Sequence, residues 1–153
     1  MPRFWHRNAA NLSTESTSKA RWAYHFTKRP VQPDGRAASS TKPATGSTLE
    51  AVREAHTDDG IAFMLNGDGP GCYDLHHVAE GGQMSAAALR FLTELDAFHI
   101  EWSPSGTGVQ AWADALAWPG WRQQIDGMAV EFYTQGRFMT VTGQGVARNC
   151  NPT

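Results

Sequence analysis

Cysteine, charge and long apolar runs are all scarce in this sequence. Two cysteines, Cys72 and Cys150, occur in 153 residues. One conceivable bridge is no disulfide framework, and the expected compartment is a reducing cytoplasm. No apolar run approaches the roughly 20 residues that cross a bilayer, so no membrane is expected as a partner. Arg3 and Arg7 are followed by no hydrophobic stretch, which argues against a secretory signal. Internal repeats are missing. No nucleophile elbow appears, which speaks against a Ser-His-Asp hydrolase. Charged residues make up 18% of the chain and leave a formal net charge of −2.

That small net charge hides an asymmetry. Residues 1–42 hold eight Lys or Arg against Glu15 and Asp34, whereas the remainder holds five basic and thirteen acidic residues. A basic arm beside an acidic body either places phosphates near metal-binding carboxylates or is a solvated tail. The length suits one domain with a single core. Residues 1–20, rich in Ser, Thr and Asn, read as a flexible arm. Residues 21–147 read as the domain, and 148–153 as a tail.

Trp22–Phe26 alternates in part and is expected to form a strand. Residues 28–43 contain Pro30, Pro33, Gly35 and Pro43 and read as a long irregular loop. Ser47 with Glu50 forms a capping box, predicting a short helix to about His56. The apolar run Ile61–Leu65 predicts a buried strand. The turn signal Asn66–Gly71 then predicts a hairpin with Cys72–Val78. Alternation in that second strand puts Asp74 and His76 on one face. Ser85 is placed to cap a helix reaching about Ala97, with Leu89, Phe91, Leu92 and Leu95 on its apolar side. Strands at Phe98–Trp102 and Val109–Ala113 flank Ser103-Pro104-Ser105-Gly106-Thr107-Gly108. Trp118-Pro119-Gly120-Trp121 reads as a turn. Val130–Tyr133 and Phe138–Thr142 are expected to pair as a hairpin through Thr134-Gln135-Gly136. Strands and two helices in this mixed order predict an α+β fold, helices packed on a largely antiparallel sheet.

The Ser-Gly loop has two readings. It is either an ordinary hairpin connection or an anion-binding concavity, with backbone N–H groups and the hydroxyls of Ser103, Ser105 and Thr107 as donors. Asp74, His76 and His77 also admit a small zinc site, although adjacent strand residues point opposite ways.

Taken together, Ser103-Pro104-Ser105-Gly106-Thr107-Gly108, then Glu131-Phe132-Tyr133, then Arg137-Phe138-Met139-Thr140-Val141-Thr142-Gly143 are more specific than any part. From about Trp22 to Gly143 the chain resembles the N-terminal catalytic domain of bifunctional primase-polymerases of phages and plasmids, in the archaeo-eukaryotic primase superfamily. The resemblance implies a primase-polymerase-like core and metal-dependent nucleotidyl transfer in DNA replication. It further implies a divalent cation (Mg or Mn), a nucleoside triphosphate, a DNA or RNA template, and a helicase or other replication protein as partner.

By that resemblance Asp74 takes the place of the first catalytic acid and Glu131 that of the third. The second acid's position is held by His76, and the position of a phosphate-contacting histidine by Gln110. The catalytic and metal-binding set is thus Asp74, His76 and Glu131. The nucleotide-binding set is Ser103, Ser105, Gly106, Thr107, Gly108, Gln110 and Arg137, with Lys28, Arg29 and Arg36 toward nucleic acid. Two of four chemical positions depart from the pattern. An imidazole ligand suits Mn, Zn, Co or Ni better than Mg, and Gln110 brings no charge to a phosphate. The implied function is therefore a partly degenerate nucleotidyltransferase. The alternative is an inactive relative that binds nucleic acid or a protein.

Overall fold

A computed structural model describes residues 20–26, 29–55 and 60–146. The expected flexible arm, Lys28 and the expected tail from 148 onward lie outside the described residues, apart from Ala20 at the end of the arm.

The fold is α+β, built from two antiparallel sheets and two α-helices among the described residues. A four-stranded sheet holds β1 (Trp22–Phe26), β2 (Arg29–Val31), β3 (Ile61–Asn66) and β11 (Gln135–Val141), in the order β11-β3-β1-β2. A five-stranded sheet holds β4 (Pro70–His76), β7 (His99–Trp102), β8 (Val109–Asp114), β9 (Trp121–Ile125) and β10 (Met128–Tyr133), in the order β7-β8-β4-β10-β9. A small ribbon pairs β5 (Ala79–Glu80) with β6 (Gln83–Met84). The helices are α1 (Leu49–Ala55) and α2 (Ala86–Glu94). Among the described residues no helix is long and apolar enough to cross a membrane.

Both expected hairpins are bends instead. β3 pairs with β11 and β4 pairs with β10, so β3 and β4 lie in different sheets, as do β10 and β11. The register explains the arrangement. Ile61 faces Val141 at one end and His76 faces Ala129 at the other, with Asn66 opposite Gln135 and Cys72 opposite Tyr133 between them. The two chain segments form one long antiparallel ribbon that folds over at residues 67–69 and 134. Gly67 and Gly69, at φ +73° and +143°, make that fold on one strand, a conformation that side chains with a Cβ rarely adopt. The Gly67 N–H donates to the Thr134 carbonyl across the bend. The glycines thus redirect a strand between sheets where the sequence suggested a reversal.

Directly opposed residues in an antiparallel sheet share a face. One face of the five-stranded sheet carries Leu75, Val109, Ala111 and Val130, which pack with Ala88 and Leu92 of α2. On that face Trp121, Phe132, Tyr73 and Phe91 make a run of ring contacts at 4.3–5.8 Å between successive centroids. On the other face Cys72 and Trp112 join Trp22, Leu49, Val52, Phe63, Met139 and Val141 in the core between the sheets. Trp112 meets Phe63 edge to face at 6.0 Å. The remainder of that second face is polar, and it carries the site.

Local predictions fare unevenly. α2 starts at the Ser85 cap, whose Oγ accepts from the Ala88 N–H, but it ends at Glu94 where Leu95 turns extended. α1 is capped by Thr48, whose Oγ1 accepts from the Ala51 N–H. Ser47 pairs its backbone with Trp22 instead, so the capping box at Ser47 is displaced by one residue. The loop expected at 28–43 includes β2, which hydrogen-bonds to β1, and turns closed by Gly35 N–H to Gln32 O and Gln32 N–H to Arg36 O.

Candidate metal centre

Five polar residues stand side by side across the five-stranded sheet. Arg122 on β9 faces Glu131 on β10, Glu131 faces Asp74 on β4, Asp74 faces Gln110 on β8, and Gln110 faces Glu101 on β7. His76 lies on the Asp74 face two residues on. Asp74, His76 and Glu131 each offer a ligand atom, all within 4.8 Å of one another. His76 Nε2 lies 3.0 Å from Glu131 Oε2 and 3.6 Å from Asp74 Oδ2. Arg122 forms an ion pair with the other Glu131 oxygen. His77 leaves the strand at φ +52° and is no member of the cluster.

The two acids are electrostatically unlike. Burial pushes the Asp74 carboxyl above its ordinary value; His76 opposes this, and the nearby Glu131 carboxylate reinforces it. Burial acts the same way on Glu131, but the hydrogen bond and charge of His76, with those of Arg122, outweigh it and hold the carboxyl below its ordinary value. A cation near Asp74 would relieve the strain that burial imposes on its charged form. Two carboxylates and one imidazole, partly buried and converging, fit a divalent metal of the Mn or Zn type.

Gln110, which the resemblance assigned to phosphate, shares the Asp74 face but is committed inward. It is 5% exposed. Its neighbours are acceptors, and with nitrogen turned to them Nε2 lies 3.3 Å from Glu101 Oε1 and 2.6 Å from the Thr140 carbonyl. Glu101 is fully buried and closes a network that sequence reasoning missed. Its carboxylate accepts from the Thr142 N–H at 2.9 Å and the Gly143 N–H at 3.2 Å, and lies 3.0 Å from His99 Nε2. Glu101 therefore fastens β7 to the chain just after β11 and joins the two sheets beside the Asp74, His76 and Glu131 cluster. The available signal was a charge at an alternating position, His99-Ile100-Glu101, on the face shared with Gln110.

The Ser-Gly loop joins β7 to β8 as a hairpin. Ser103 N–H donates to Gly108 O, Gly106 N–H to Ser103 O, Thr107 N–H to Ser105 Oγ, and Gly108 N–H to Ser103 Oγ. These amides are satisfied inside the loop and Ser103 is buried beneath it, so what the loop offers outward is the hydroxyls of Ser105 and Thr107, 3.0 Å apart and backed by Ser103 Oγ at 3.0 Å from Ser105 Oγ. Gly106 sits at φ +74°. A Cβ on Gly108 would come 2.7 Å from the Leu75 carbonyl, so glycine lets this loop close against β4.

On the other side of the cluster, a pocket of about 650 Å³ is lined by Gly120, Trp121, Arg122, Glu131, Tyr133 and Arg137. The Arg137 guanidinium lies 4.2 Å over the Tyr133 ring and donates to its own stacking partner's hydroxyl at 3.0 Å. Arg29 and Arg36 are elsewhere, at the outer edge of the four-stranded sheet, where Arg36 pairs with Asp34 at 2.7 Å.

Comparison with known proteins bears on this arrangement. The chain is similar to a DNA primase-polymerase of Nitratiruptor phage NrS-1. The two are 30% identical over 128 residues, an alignment that takes in 77% of this chain and 18% of that protein. The chain thus spans less than a fifth of that relative's length. No protein-family model matches. The similarity relates this chain to a phage primase-polymerase, and Asp74 and Glu131, the two acids that resemblance singled out, do meet in space. Of the remaining sequence-predicted residues, His76 joins them and Arg137 lines the adjoining pocket.

Proposed function

We propose that this chain is a primase-polymerase-like nucleotidyl-transfer domain of phage or plasmid replication, whose Asp74, His76 and Glu131 hold a divalent cation. The observation that carries this is the direct cross-strand registry of Asp74 with Glu131, with His76 completing the cluster. When bound, the cation supplies charge neutralisation at the transferred phosphate and acidifies the attacking hydroxyl. The chain's own residues do the positioning. Arg137 and Arg122, in the pocket beside Glu131, meet the anionic side of a nucleoside triphosphate. The exposed hydroxyls of Ser105 and Thr107 donate to it from the hairpin loop, with Ser103 holding the loop from beneath. His76 biases the cluster toward Mn over Mg. Lys28, Arg29 and Arg36 remain candidate contacts to the nucleic-acid backbone.

A second reading has a specific observation behind it. Arg122 and His76 already partner Glu131, and Gln110 is held by Glu101, features that suit an inactive relative binding nucleic acid without transfer. Calorimetric titration with Mn²⁺, with and without a nucleoside triphosphate, separates the two. Nucleotidyl transfer requires Mn²⁺-dependent nucleotide binding that weakens tenfold or more in Asp74→Ala and Glu131→Ala. Binding of neither metal nor nucleotide by the folded wild type would remove the enzymatic reading.

A further inference from the structure

The segment between β8 and β9, Ala115-Leu116-Ala117-Trp118-Pro119-Gly120, has no part in the metal cluster. It displays the large exposed hydrophobic side chains of the described residues, Leu116 at 89% and Trp118 at 64% exposure. The display is held rather than loose. Ala115 N–H donates to the Gly69 carbonyl. The Trp118 N–H donates to Thr134 Oγ1 at 3.0 Å, and that hydroxyl donates back to the Trp118 carbonyl at 2.9 Å. Thr134 is fully buried at the bend of the inter-sheet ribbon. The backbone beneath Trp118 is thus tied to a fully buried residue of the fold, while its side chain is 64% exposed.

The surroundings indicate what such an indole meets. Gly120, two residues on, and Tyr133, just before Thr134, both line the pocket that Arg122 and Arg137 share with the metal ligand Glu131. The Arg122 side chain is 71% exposed, and Gln123 and Gln124 beside it on edge strand β9 are exposed as well. Along its own segment the patch is apolar, through Leu116, Ala117 and Pro119, but on its β9 side it gives way to the exposed guanidinium of Arg122 and the amides of Gln123 and Gln124. An exposed indole on an anchored backbone, two residues from a pocket that holds two guanidiniums, is suited to take unpaired bases by stacking and their phosphates by charge.

We infer that Trp118, with Arg122 and Arg137, forms a stacking platform for single-stranded nucleic acid that leads to the metal cluster. The inference rests on the nucleotidyl-transfer reading for its direction, toward Glu131, and it names the strand's route on this chain. Base–aromatic stacking is sequence-tolerant, so a homopolymer is a fair ligand.

The experiment is fluorescence anisotropy with labelled twelve-residue oligothymidylate and with a duplex of equal length, on wild type, Trp118→Ala and Trp118→Phe. Wild type binds the single strand more tightly than the duplex. Trp118→Ala weakens single-strand binding about tenfold, Trp118→Phe recovers most of it, and thermal stability stays unchanged because the side chain is largely exposed. Mn²⁺ titration of the same proteins shows metal binding untouched by either substitution. Equal oligonucleotide affinity of wild type and Trp118→Ala overturns the platform and leaves the Leu116–Trp118 surface to a protein partner. Failure of wild type to bind the oligonucleotide overturns it too. Mn²⁺-dependent nucleotide binding, measured separately, then shows whether the nucleotidyl-transfer reading falls with it.

Discussion

Truncating Glu101 tests the architecture that holds the site. Glu101→Ala removes a carboxylate with no solvent exposure that accepts from the Thr142 and Gly143 amides and engages His99 and Gln110. Each buried donor left without an acceptor costs about 1–3 kcal/mol. Two orphaned amides, with two buried side chains that must find other partners, sum to roughly 3–6 kcal/mol after some relief from no longer burying a charge. That is a large share of the roughly 5–15 kcal/mol that holds a domain together. In a domain of this size it corresponds to a melting-temperature loss on the order of 10–20 °C. Glu101→Gln keeps one acceptor oxygen but turns an NH₂ toward a donor, and loses roughly 1–3 kcal/mol. Urea denaturation followed by circular dichroism measures both. A loss under about 1 kcal/mol for Glu101→Ala, with an unchanged m-value, would refute the claim that this carboxylate fastens the two sheets.

Four further outcomes follow from the same geometry. Asp74→Asn should raise the melting temperature of the metal-free protein at neutral pH by a few degrees, because the Asp74 carboxyl titrates above its ordinary value and its ionised form is the destabilised one; an unchanged or lower value across pH 6–8 would contradict it. The stability drawn from Glu131 has the opposite sign, being present above its unfolded value and lost as pH falls through its depressed folded value, so Glu131→Gln should flatten the acid limb of the stability profile. Gly108→Ala should cost about 1–3 kcal/mol, since its Cβ would sit 2.7 Å from a backbone oxygen of β4; a neutral effect in thermal denaturation would show that the loop gives way easily. His76→Asp should lower stability in EDTA by adding a third carboxylate to the cluster and recover it with Mg²⁺, whereas wild type responds to Mn²⁺; identical Mg²⁺ responses in calorimetry would remove His76 from the metal's reach.

How much of this was legible in the sequence depends on how local each feature is. The common face of Asp74 and His76 follows from strand alternation, and the Ser85 cap from one side chain and one turn of helix. The pairing partner of each strand does not follow from local pattern. Asn66–Gly71 and Thr134-Gln135-Gly136 carry reversal chemistry, yet both bend a paired ribbon, because β3 and β4 find their partners in β11 and β10 at far greater sequence separation. Glu131 was therefore placed beside Asp74 by resemblance, not by periodicity. Glu101 escaped notice because a buried carboxylate is identified by its donors, and the amides of Thr142 and Gly143 lie about forty residues away. Gln110 was assigned to phosphate on its position alone, and only the acceptors around it show why its amide is turned inward.

The row from Arg122 to Glu101 ties these results to function. Its central pair, Glu131 and Asp74, is held by charges on one side and by a buried network on the other. Arg122 and His76 hold Glu131 ionised, while Asp74 is left with a charge that burial disfavours. An incoming cation would have to compete with His76 for Glu131 but would find Asp74 unsatisfied. The Glu101 carboxylate is already engaged elsewhere, its oxygens meeting β8 and the chain after β11. If the cluster holds a cation as proposed, selectivity for metals that accept imidazole falls to His76. Keeping that ligand turns its contact with Glu131 into shared coordination, whereas an oxygen-preferring cation would have to displace it. On the proposed nucleotidyl-transfer reading, the chemistry at His76 is then what decides which ion the cluster takes.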